Sequence, residues 1–364
     1  MTCLAGLVFR QNSPTPDIAR GLGQALLGAC PGRGSDDSGV WTGDGAAIAA
    51  RALRTLDLTP DGSQPARSPD GRMIVAIDGC ITNAPALKRE LEDADIRLHG
   101  HGDAELVAVA ASQWGLNRLL QKMEGAFALA LWDVENKALH LMRDRMGAKP
   151  MYVTATPDAF AFASDYRAFK ALKGFTPSIN HEAAKCFLTR GHVIPPLAMW
   201  NNVVALPPAS RVMIKDGDAN ISEPEIYWSV ASVLEESALR GRNADDTARL
   251  DRQTAGVVAE SIRLDVPFAL MDDYSAASSM LRARIDYASD KPFKTFGVNA
   301  PDGAALQTGF DTLSRLPEPV SDPMAPAWLA ALKKVGGDAH VVMVATGLAR
   351  PSDDSDSDIR VRRI

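Results

Sequence analysis

The sequence predicts an α+β layered domain followed by a smaller α/β domain. Short apolar runs, broken by turn residues and more numerous than helices, extend from Leu4 to about residue 217. Two Pro-Pro pairs and a turn at 216–218 then mark the passage to a second region. Beyond Trp228, helical patterns alternate with buried strands, which is typical of a parallel sheet. We therefore predict domains at 1–217 and 218–350, and a charged tail at 351–364.

The individual elements follow from the period of the apolar residues. We predict first-domain strands at 4–9, 46–50, 73–77, 127–132, 139–142, 160–163 and 211–214, and helices at 84–93, 104–114 and 116–123. Asn83 and Asp103 are candidate N-caps for the first two helices. In the second domain we predict helices at 245–263 and 276–287 and strands at 266–271 and 341–345. Many strands are almost continuously apolar, which favours sheets covered on both faces.

Composition excludes several classes of protein. The chain has 364 residues, of which 46% are hydrophobic, so it can fill two globular cores. The net charge of −6 argues against a nucleic-acid surface. No apolar run is long enough to span a membrane and no signal peptide is evident, so we expect a cytoplasmic protein. The four cysteines are scattered, which indicates neither disulfides nor zinc, and we interpret each as a small buried residue.

Seven motifs occur in a fixed order along the first domain. They lie at 33–41, 53–58, 78–83, 102–105, 125–133, 143–152 and 162–165. The first four resemble the RGPDDxGxW, RLSIIDL, NGEIYN and SDTE segments of glutamine-hydrolysing asparagine synthetases, and the others complete the family's order. This resemblance implies a class II glutamine amidotransferase domain with the N-terminal-nucleophile fold, a four-layer α/β/β/α sandwich.

The family's catalytic cysteine is replaced. In the family, that cysteine directly follows the initiator methionine, and its own α-amine acts as the general base. The Ala-Gly-Leu segment at 5–7 aligns with the family's AGL, which places Thr2 rather than Cys3 at the nucleophile position. An α-amine with a pKa of about 7.7–8.0 can also activate a hydroxyl. Thr2 is therefore a candidate nucleophile if Met1 is removed.

The residues that would hold glutamine are mostly replaced as well. Ala52 stands where the family has the arginine that grips the substrate carboxylate, and Arg51 is expected on the opposite face of its strand. Asp78 replaces the asparagine that donates to the oxyanion, a loss of about 3 kcal/mol of transition-state stabilisation. Cys80 replaces the glutamate that binds the substrate amine.

Two pocket residues of the family pattern remain. Gly79 and Asp103 match the positions that contact glutamine in the family. Asp103 serves equally well as a helix N-cap. We therefore interpret Asp78, Gly79 and Asp103 as the remnant of a glutamine pocket.

The second domain resembles a shortened asparagine synthetase domain. At the offset of the family's ATP-binding SGGLDSS loop stands the segment 273–279, in which both glycines are absent and Tyr274 adds bulk. Asp273, Ser275 and Ser278 are the candidate nucleotide contacts, although serines at a helix start are more simply caps. The segment 346–350 resembles a second family loop without its acidic pair. We interpret this domain as a truncated, degenerate PP-loop domain.

Three functions remain open. The first is a non-catalytic homologue that binds a protein partner or forms a homo-oligomer, without nucleic acid or membrane. The second is an active glutamine-hydrolysing asparagine synthetase or related amide-forming enzyme, and only this hypothesis requires ATP and magnesium as cofactors. The third is an amidohydrolase that uses Thr2 on another amide.

Overall fold

The computed structural model describes residues 2–10, 14–30, 32–34, 36–43, 45–215, 220–240, 245–298, 303–313 and 316–345. The chain divides into two compact units, Met1–Arg240 and Gly241–Ile364, which are described separately below. The predicted tail at 351–364 and the predicted loop at 346–350 lie outside the described residues. No helix among the described residues combines the length and apolar character that a membrane span requires.

The first unit contains two six-stranded sheets. The first sheet has the order β10-β8-β9-β1-β3-β2, with β1 antiparallel to both of its neighbours. Its strands are β1 (Cys3–Phe9), β2 (Asp37–Gly43), β3 (Ala46–Ala52), β8 (Tyr152–Ala155), β9 (Ala159–Ala163) and β10 (Val203–Ala205). The second sheet has the order β12-β11-β7-β6-β5-β4. Its strands are β4 (Ala66–Arg67), β5 (Met73–Ile81), β6 (Gly125–Asp133), β7 (Ala138–Arg143), β11 (Ser210–Lys215) and β12 (Glu225–Ile226).

Side-chain alternation along each strand produces four layers. Leu4 and Val8 of β1 share an inter-sheet core with Ile74 of β5 and Trp132 of β6. The alternate residues of β1 pack instead in a separate core beneath α1 (Pro16–Gly28). On the outer face of the second sheet lie α2 (Ala84–Glu92), α3 (Asp103–Trp114) and α4 (Leu116–Lys122). The expected α/β/β/α sandwich is confirmed.

Two further helices belong to the first unit. They are α5 (His181–Arg190) and α6 (Val230–Arg240). Asn180 caps α5, because its side-chain oxygen accepts from the backbone amides of Glu182 and Ala183. Strand β12 pairs with β11, so strand pairing within the first unit continues beyond residue 217.

The second unit is a small α/β layer structure. Its parallel sheet has the order β14-β13-β15, with β13 (Phe268–Asp272) between β14 (Lys294–Gly297) and β15 (Val341–Val344). Leu270 packs with Val258 and Ile285 on one face, whereas Met271 packs with Ala327 on the other. The helices are α7 (Asp246–Ser261), α8 (Ala276–Ala288), α9 (Gly303–Leu313) and α10 (Ala325–Val335). The expected βα alternation is confirmed.

One local prediction was confirmed in part, and two were wrong. Asn83 lies at the N-cap of α2 but its side chain bonds elsewhere, accepting from the Glu124 amide at 2.9 Å. Asp103 is the first residue of α3, whose N-cap is Gly102. Cys80 is exposed and Cys186 is half-buried, so only two of the four cysteines are buried core residues. Asn83 and Asp103 instead accept hydrogen bonds from the amides of Glu124 and Ile81, which are distant in the chain and which local sequence does not reveal.

Candidate functional site

Thr2 lies at the start of the central strand of the first sheet. It is 8% exposed, and alternation along β1 places it with Leu4 on the face directed at the second sheet. Cys3 is fully buried and belongs to the core beneath α1. The structure therefore separates the two candidates, because only Thr2 lies between the sheets.

Asp78 lies opposite, on the inter-sheet face of β5. Its carboxylate is 1% exposed, and Oδ2 lies 3.2 Å from Nη1 of Arg33. The same Nη1 lies 3.5 Å from the Thr2 carbonyl oxygen and 3.4 Å from Oγ of Ser164. Arg33 therefore connects Thr2, the candidate nucleophile, to Asp78 of the opposite sheet. A buried pair of this kind is stable only while both charges are present.

A second cation reaches the same carboxylate. Nζ of Lys149 lies 3.9 Å from Oδ1 of Asp78. The turn that carries Lys149 is organised by the buried Asp144, which accepts hydrogen bonds from the amides of Met146, Ala148 and Lys149. Both oxygens of Asp78 therefore face a positive charge.

The loop that carries Arg33 is held by Arg51. The guanidinium of Arg51 donates to the carbonyl oxygens of Cys30 and Arg33, so it serves this loop rather than the pocket. Gly34 has φ +60°, and a Cβ there would lie 1.9 Å from the Arg51 carbonyl oxygen. Only glycine fits this position. Ala52 ends β3 and is buried, so it provides no clamp for a carboxylate.

Gly79 and Asp103 both lie at the carboxyl end of β5. Gly79 has φ +142°, and a Cβ there would lie 1.9 Å from the carbonyl oxygen of Ala126 on β6. The Asp103 carboxylate accepts from the Ile81 amide at 2.8 Å and so ties α3 to this strand end. Asp78 and Gly79 therefore lie on β5, Asp103 of α3 contacts the end of that strand, and Cys80 beside Gly79 is exposed.

In the second unit, the carboxylates of Asp272 and Asp273 accept hydrogen bonds from neighbouring residues of the same loop. Oδ1 of Asp273 accepts from the Ser275 amide at 3.1 Å and from the Ser278 hydroxyl at 2.7 Å. The Tyr274 amide donates to the Asp272 carboxylate at 2.7 Å. Burial alone would raise the pKa of Asp273, but the hydrogen bonds from Ser275 and Ser278 outweigh it and hold that pKa below its usual value.

Two further features of this loop bear on the sequence interpretation. Ser275 is the N-cap of α8, as predicted, because its Oγ accepts from the Ser278 amide at 3.1 Å. Tyr274 has φ +61°, the left-handed conformation that favours glycine. The backbone thus keeps a glycine-type turn although the residue is a tyrosine.

Sequence reasoning missed the two cations of the first site. Arg33 and Lys149 occur in the sequence only as members of the motifs at 33–41 and 143–152. Asp78 is 45 residues from Arg33 in the sequence, so the two side chains meet only because the two sheets pack against each other. A buried carboxylate requires a cation, and this requirement was the available signal.

The four-layer sandwich, with a candidate nucleophile at the start of its central strand, defines an amidotransferase fold. A family model described as a glutamine amidotransferase domain matches residues 1–228, and the chain belongs to this family. The resemblance to asparagine synthetases is confirmed for the first domain, whereas the truncated synthetase domain remains a prediction.

Two similar proteins and one solved structure are described next. A putative glutamine-hydrolysing asparagine synthetase of Mycobacterium tuberculosis H37Rv is 28% identical over 254 residues, covering 64% of this chain and 37% of that protein. Amidase chry2 of Gibberella zeae is 29% identical over 247 residues, covering 65% and 35%. The matches thus span little more than a third of these relatives. A Bacillus subtilis glutamine phosphoribosylpyrophosphate amidotransferase structure has a TM-score of 0.45 at 16% identity, covering 85% of this chain and 70% of that one.

Proposed function

We propose that this protein does not hydrolyse glutamine and acts as a binding protein, toward a protein partner or a second copy of itself. The buried ion pair between Arg33 and Asp78 carries this proposal. A glutamine hydrolysis site needs a hydrogen-bond donor for the developing oxyanion. Asp78, which the family resemblance aligns with that donor, is instead an acceptor with a negative charge, and it lies next to Arg33 and Lys149.

The expected fall in kcat supports the absence of glutamine hydrolysis. Removal of one oxyanion donor lowers kcat by about 10²- to 10³-fold. Asp78 adds a charge of the wrong sign, and Ala52 provides no cation for the substrate carboxylate. These losses act on separate steps, substrate binding and transition-state stabilisation, so their effects combine.

The second unit supports the same conclusion for ATP. A phosphate at a helix start is held by backbone amides and hydroxyls. The Ser275 amide and the Ser278 hydroxyl already donate to the Asp273 carboxylate. A nucleotide phosphate would have to displace this carboxylate and would meet its negative charge.

Two assays on the full chain test the proposal. We expect no glutamate release from L-glutamine above the blank, and no pyrophosphate release from ATP in the presence of aspartate and magnesium. Turnover at an ordinary enzymatic rate in either assay would overturn the non-catalytic function. Pyrophosphate release would specifically favour the asparagine synthetase hypothesis. Light scattering and pull-down with purified candidate partners then test the binding role.

A second candidate function is supported by the position of Thr2. Thr2 lies between the sheets, and Ala52 in place of the family's arginine leaves room for amides other than glutamine. We infer a Thr2-dependent amidohydrolase as the alternative. Intact mass tells whether Thr2 is the first residue of the purified protein, and a panel of amides is then compared on wild type and Thr2→Ala. Activity that survives in Thr2→Ala would exclude this function.

A further inference from the structure

Two thiols meet in the core between α1 and the first sheet. Cys3 is the first residue of β1, and Cys30 directly follows Ala29, the C-cap of α1. Both side chains are fully buried in this core, and the Cys30 thiol donates a hydrogen bond to the Cys3 sulfur. The contact therefore joins the start of the central strand to the end of the helix that packs on it.

Residues on both sides of Cys3 hold Cys30 next to it. On β3, Arg51 is the register partner of Cys3, and its guanidinium donates to the carbonyl oxygen of Cys30. On the other side, the antiparallel register of β1 with β9, continued two residues further, brings Asp165 opposite Cys3. Sγ of Cys30 lies 3.7 Å from the carbonyl oxygen of Asp165. Strand register and these two contacts thus place Cys30 beside Cys3 independently of the bond between the thiols.

The two thiols differ in how readily they lose a proton. The hydrogen bond from Cys30, assisted by the positive charge of Arg33, lowers the pKa of Cys3 although burial opposes this. The same hydrogen bond, together with burial, raises the pKa of Cys30. The buried Asp165 opposes ionisation of both thiols, but its carboxylate is paired with Arg167 at 2.6 Å. Cys3 is therefore the better nucleophile, and Cys30 keeps the proton that it donates.

We propose that Cys3 and Cys30 form a reversible disulfide when the protein meets hydrogen peroxide. The Cys3 thiolate attacks one peroxide oxygen and breaks the O–O bond, which gives a Cys3 sulfenic acid and a hydroxide that takes up the Cys3 proton as water. The Cys30 sulfur then attacks the Cys3 sulfur, and the sulfenic oxygen leaves with the Cys30 proton as a second water. The two thiols lose two electrons, which reduce the peroxide. Because the sulfur atoms are already in contact, a small movement brings them to the S–S bond length of about 2 Å.

The disulfide links the two segments that form the candidate site. Thr2 directly precedes Cys3, and Arg33 follows shortly after Cys30. Nη1 of Arg33 lies 3.5 Å from the Thr2 carbonyl oxygen and 3.2 Å from Oδ2 of Asp78. Oxidation therefore fixes Thr2 and Arg33 relative to each other, whether Thr2 is a nucleophile or only lines a binding pocket.

Intact mass and peptide mapping of the full chain test this thiol pair. The background variant Cys80→Ala/Cys186→Ala leaves Cys3 and Cys30 as the remaining cysteines. After hydrogen peroxide in native buffer, we expect the loss of the mass of two hydrogen atoms and a pair of linked peptides under non-reducing conditions. Dithiothreitol should reverse both changes. A mass that stays constant, or that rises only by oxygen atoms, would overturn the proposal.

Single variants in the same background separate the roles of the two thiols. Cys30→Ala should leave a Cys3 sulfenic acid that dimedone traps, whereas Cys3→Ala should give little adduct under the same conditions. An equal adduct yield in the two variants would contradict the role of Cys3 as the attacking thiol.

Urea unfolding tests whether the native structure accommodates the bond. We expect the midpoint of the oxidised background protein to rise above that of the reduced protein, because the cross-link restricts the unfolded chain. Peroxide should cause no such rise in Cys3→Ala or Cys30→Ala, which cannot form the link. A lower midpoint after oxidation would show that the disulfide distorts the fold and would contradict the proposed switch.

Discussion

Nη1 of Arg33 lies 3.2 Å from Oδ2 of Asp78, between the two sheets and next to Thr2. Both side chains are at least nine-tenths buried, at 10% and 1% exposure. Loss of one partner leaves an uncompensated buried charge, which costs about 3–5 kcal/mol. We expect Arg33→Ala to destabilise the first unit by this amount in urea unfolding. Arg89→Ala, which removes an exposed arginine, should change the free energy of unfolding by less than about 0.5 kcal/mol. Equal effects of the two variants would show that the buried pair has no structural role.

Gly79 provides a test of the strand that carries Asp78. Its φ of +142° and the 1.9 Å approach to the Ala126 carbonyl exclude a side chain. We expect Gly79→Ala to cost several kcal/mol, on the order of 3, because β5 and β6 must separate locally. Gly21→Ala in α1, where a Cβ would have no atom within 4 Å, should stabilise by about 0.5–1 kcal/mol. Thermal unfolding of both variants measures the expected loss of stability in Gly79→Ala and the expected gain in Gly21→Ala. A Gly79→Ala protein as stable as wild type would contradict the positive φ of Gly79 and its close approach to Ala126.

We predict that Tyr274 makes the protein less stable than a glycine at the same position would. Its φ of +61° costs a non-glycine residue about 1 kcal/mol, and its side chain is 68% exposed, so it loses little packing when removed. We expect Tyr274→Gly to be neutral or to stabilise by about 0.5–1 kcal/mol in calorimetry of the full chain. Tyr287→Gly, in the last turn of α8, should destabilise by about 0.5 kcal/mol. A loss of stability in Tyr274→Gly as large as in Tyr287→Gly would contradict the positive φ.

His140 gives the first unit a defined pH dependence. Burial, with the positive charges of Arg211 and Lys215 opposed by Asp133 and Glu225, lowers the pKa of His140 to about 4, against about 6.5 in the unfolded chain. Between these values the unfolded state binds more protons, so stability is complete above pH 6.5 and falls as the pH drops toward 4. We expect about 2 kcal/mol of loss between pH 7 and pH 5 from this group.

The comparison with His140→Gln isolates that contribution. Other groups titrate alike in both proteins, so the fall in unfolding free energy from pH 7 to pH 5 should be smaller in the variant. Urea unfolding at the two pH values measures it. An identical fall in both proteins would show that His140 titrates normally in the folded state.

The sequence predicted those elements whose signal is local. Continuous apolar runs marked β1, β5, β6 and β13, because these strands are covered on both faces. Helix α1 was missed, since Gly21, Gly23 and Gly28 weaken its helical pattern. Strand β2 was missed because it is a half-exposed edge strand with few apolar residues.

In the candidate site, the sequence predicted which residues are neighbours but not what Asp78 binds. The order of motifs identified Thr2, Asp78, Gly79 and Asp103 as neighbours, and the last three lie at or against one end of β5. What Asp78 binds depends on how Arg33 and the turn before Lys149 approach it across the sandwich. That approach is a property of the assembled sheets, so no residue near Asp78 in the sequence indicates it.

Glutamine hydrolysis by wild type and by a fourfold reversion tests the central claim most directly. The reversion Thr2→Cys/Ala52→Arg/Asp78→Asn/Cys80→Glu restores the family's residues, and mass spectrometry confirms that the cysteine is the first residue. We expect no glutamate release from wild type and measurable release from the reverted protein. Glutamate release by wild type that disappears in Thr2→Ala would contradict the claim that Asp78 closes this site.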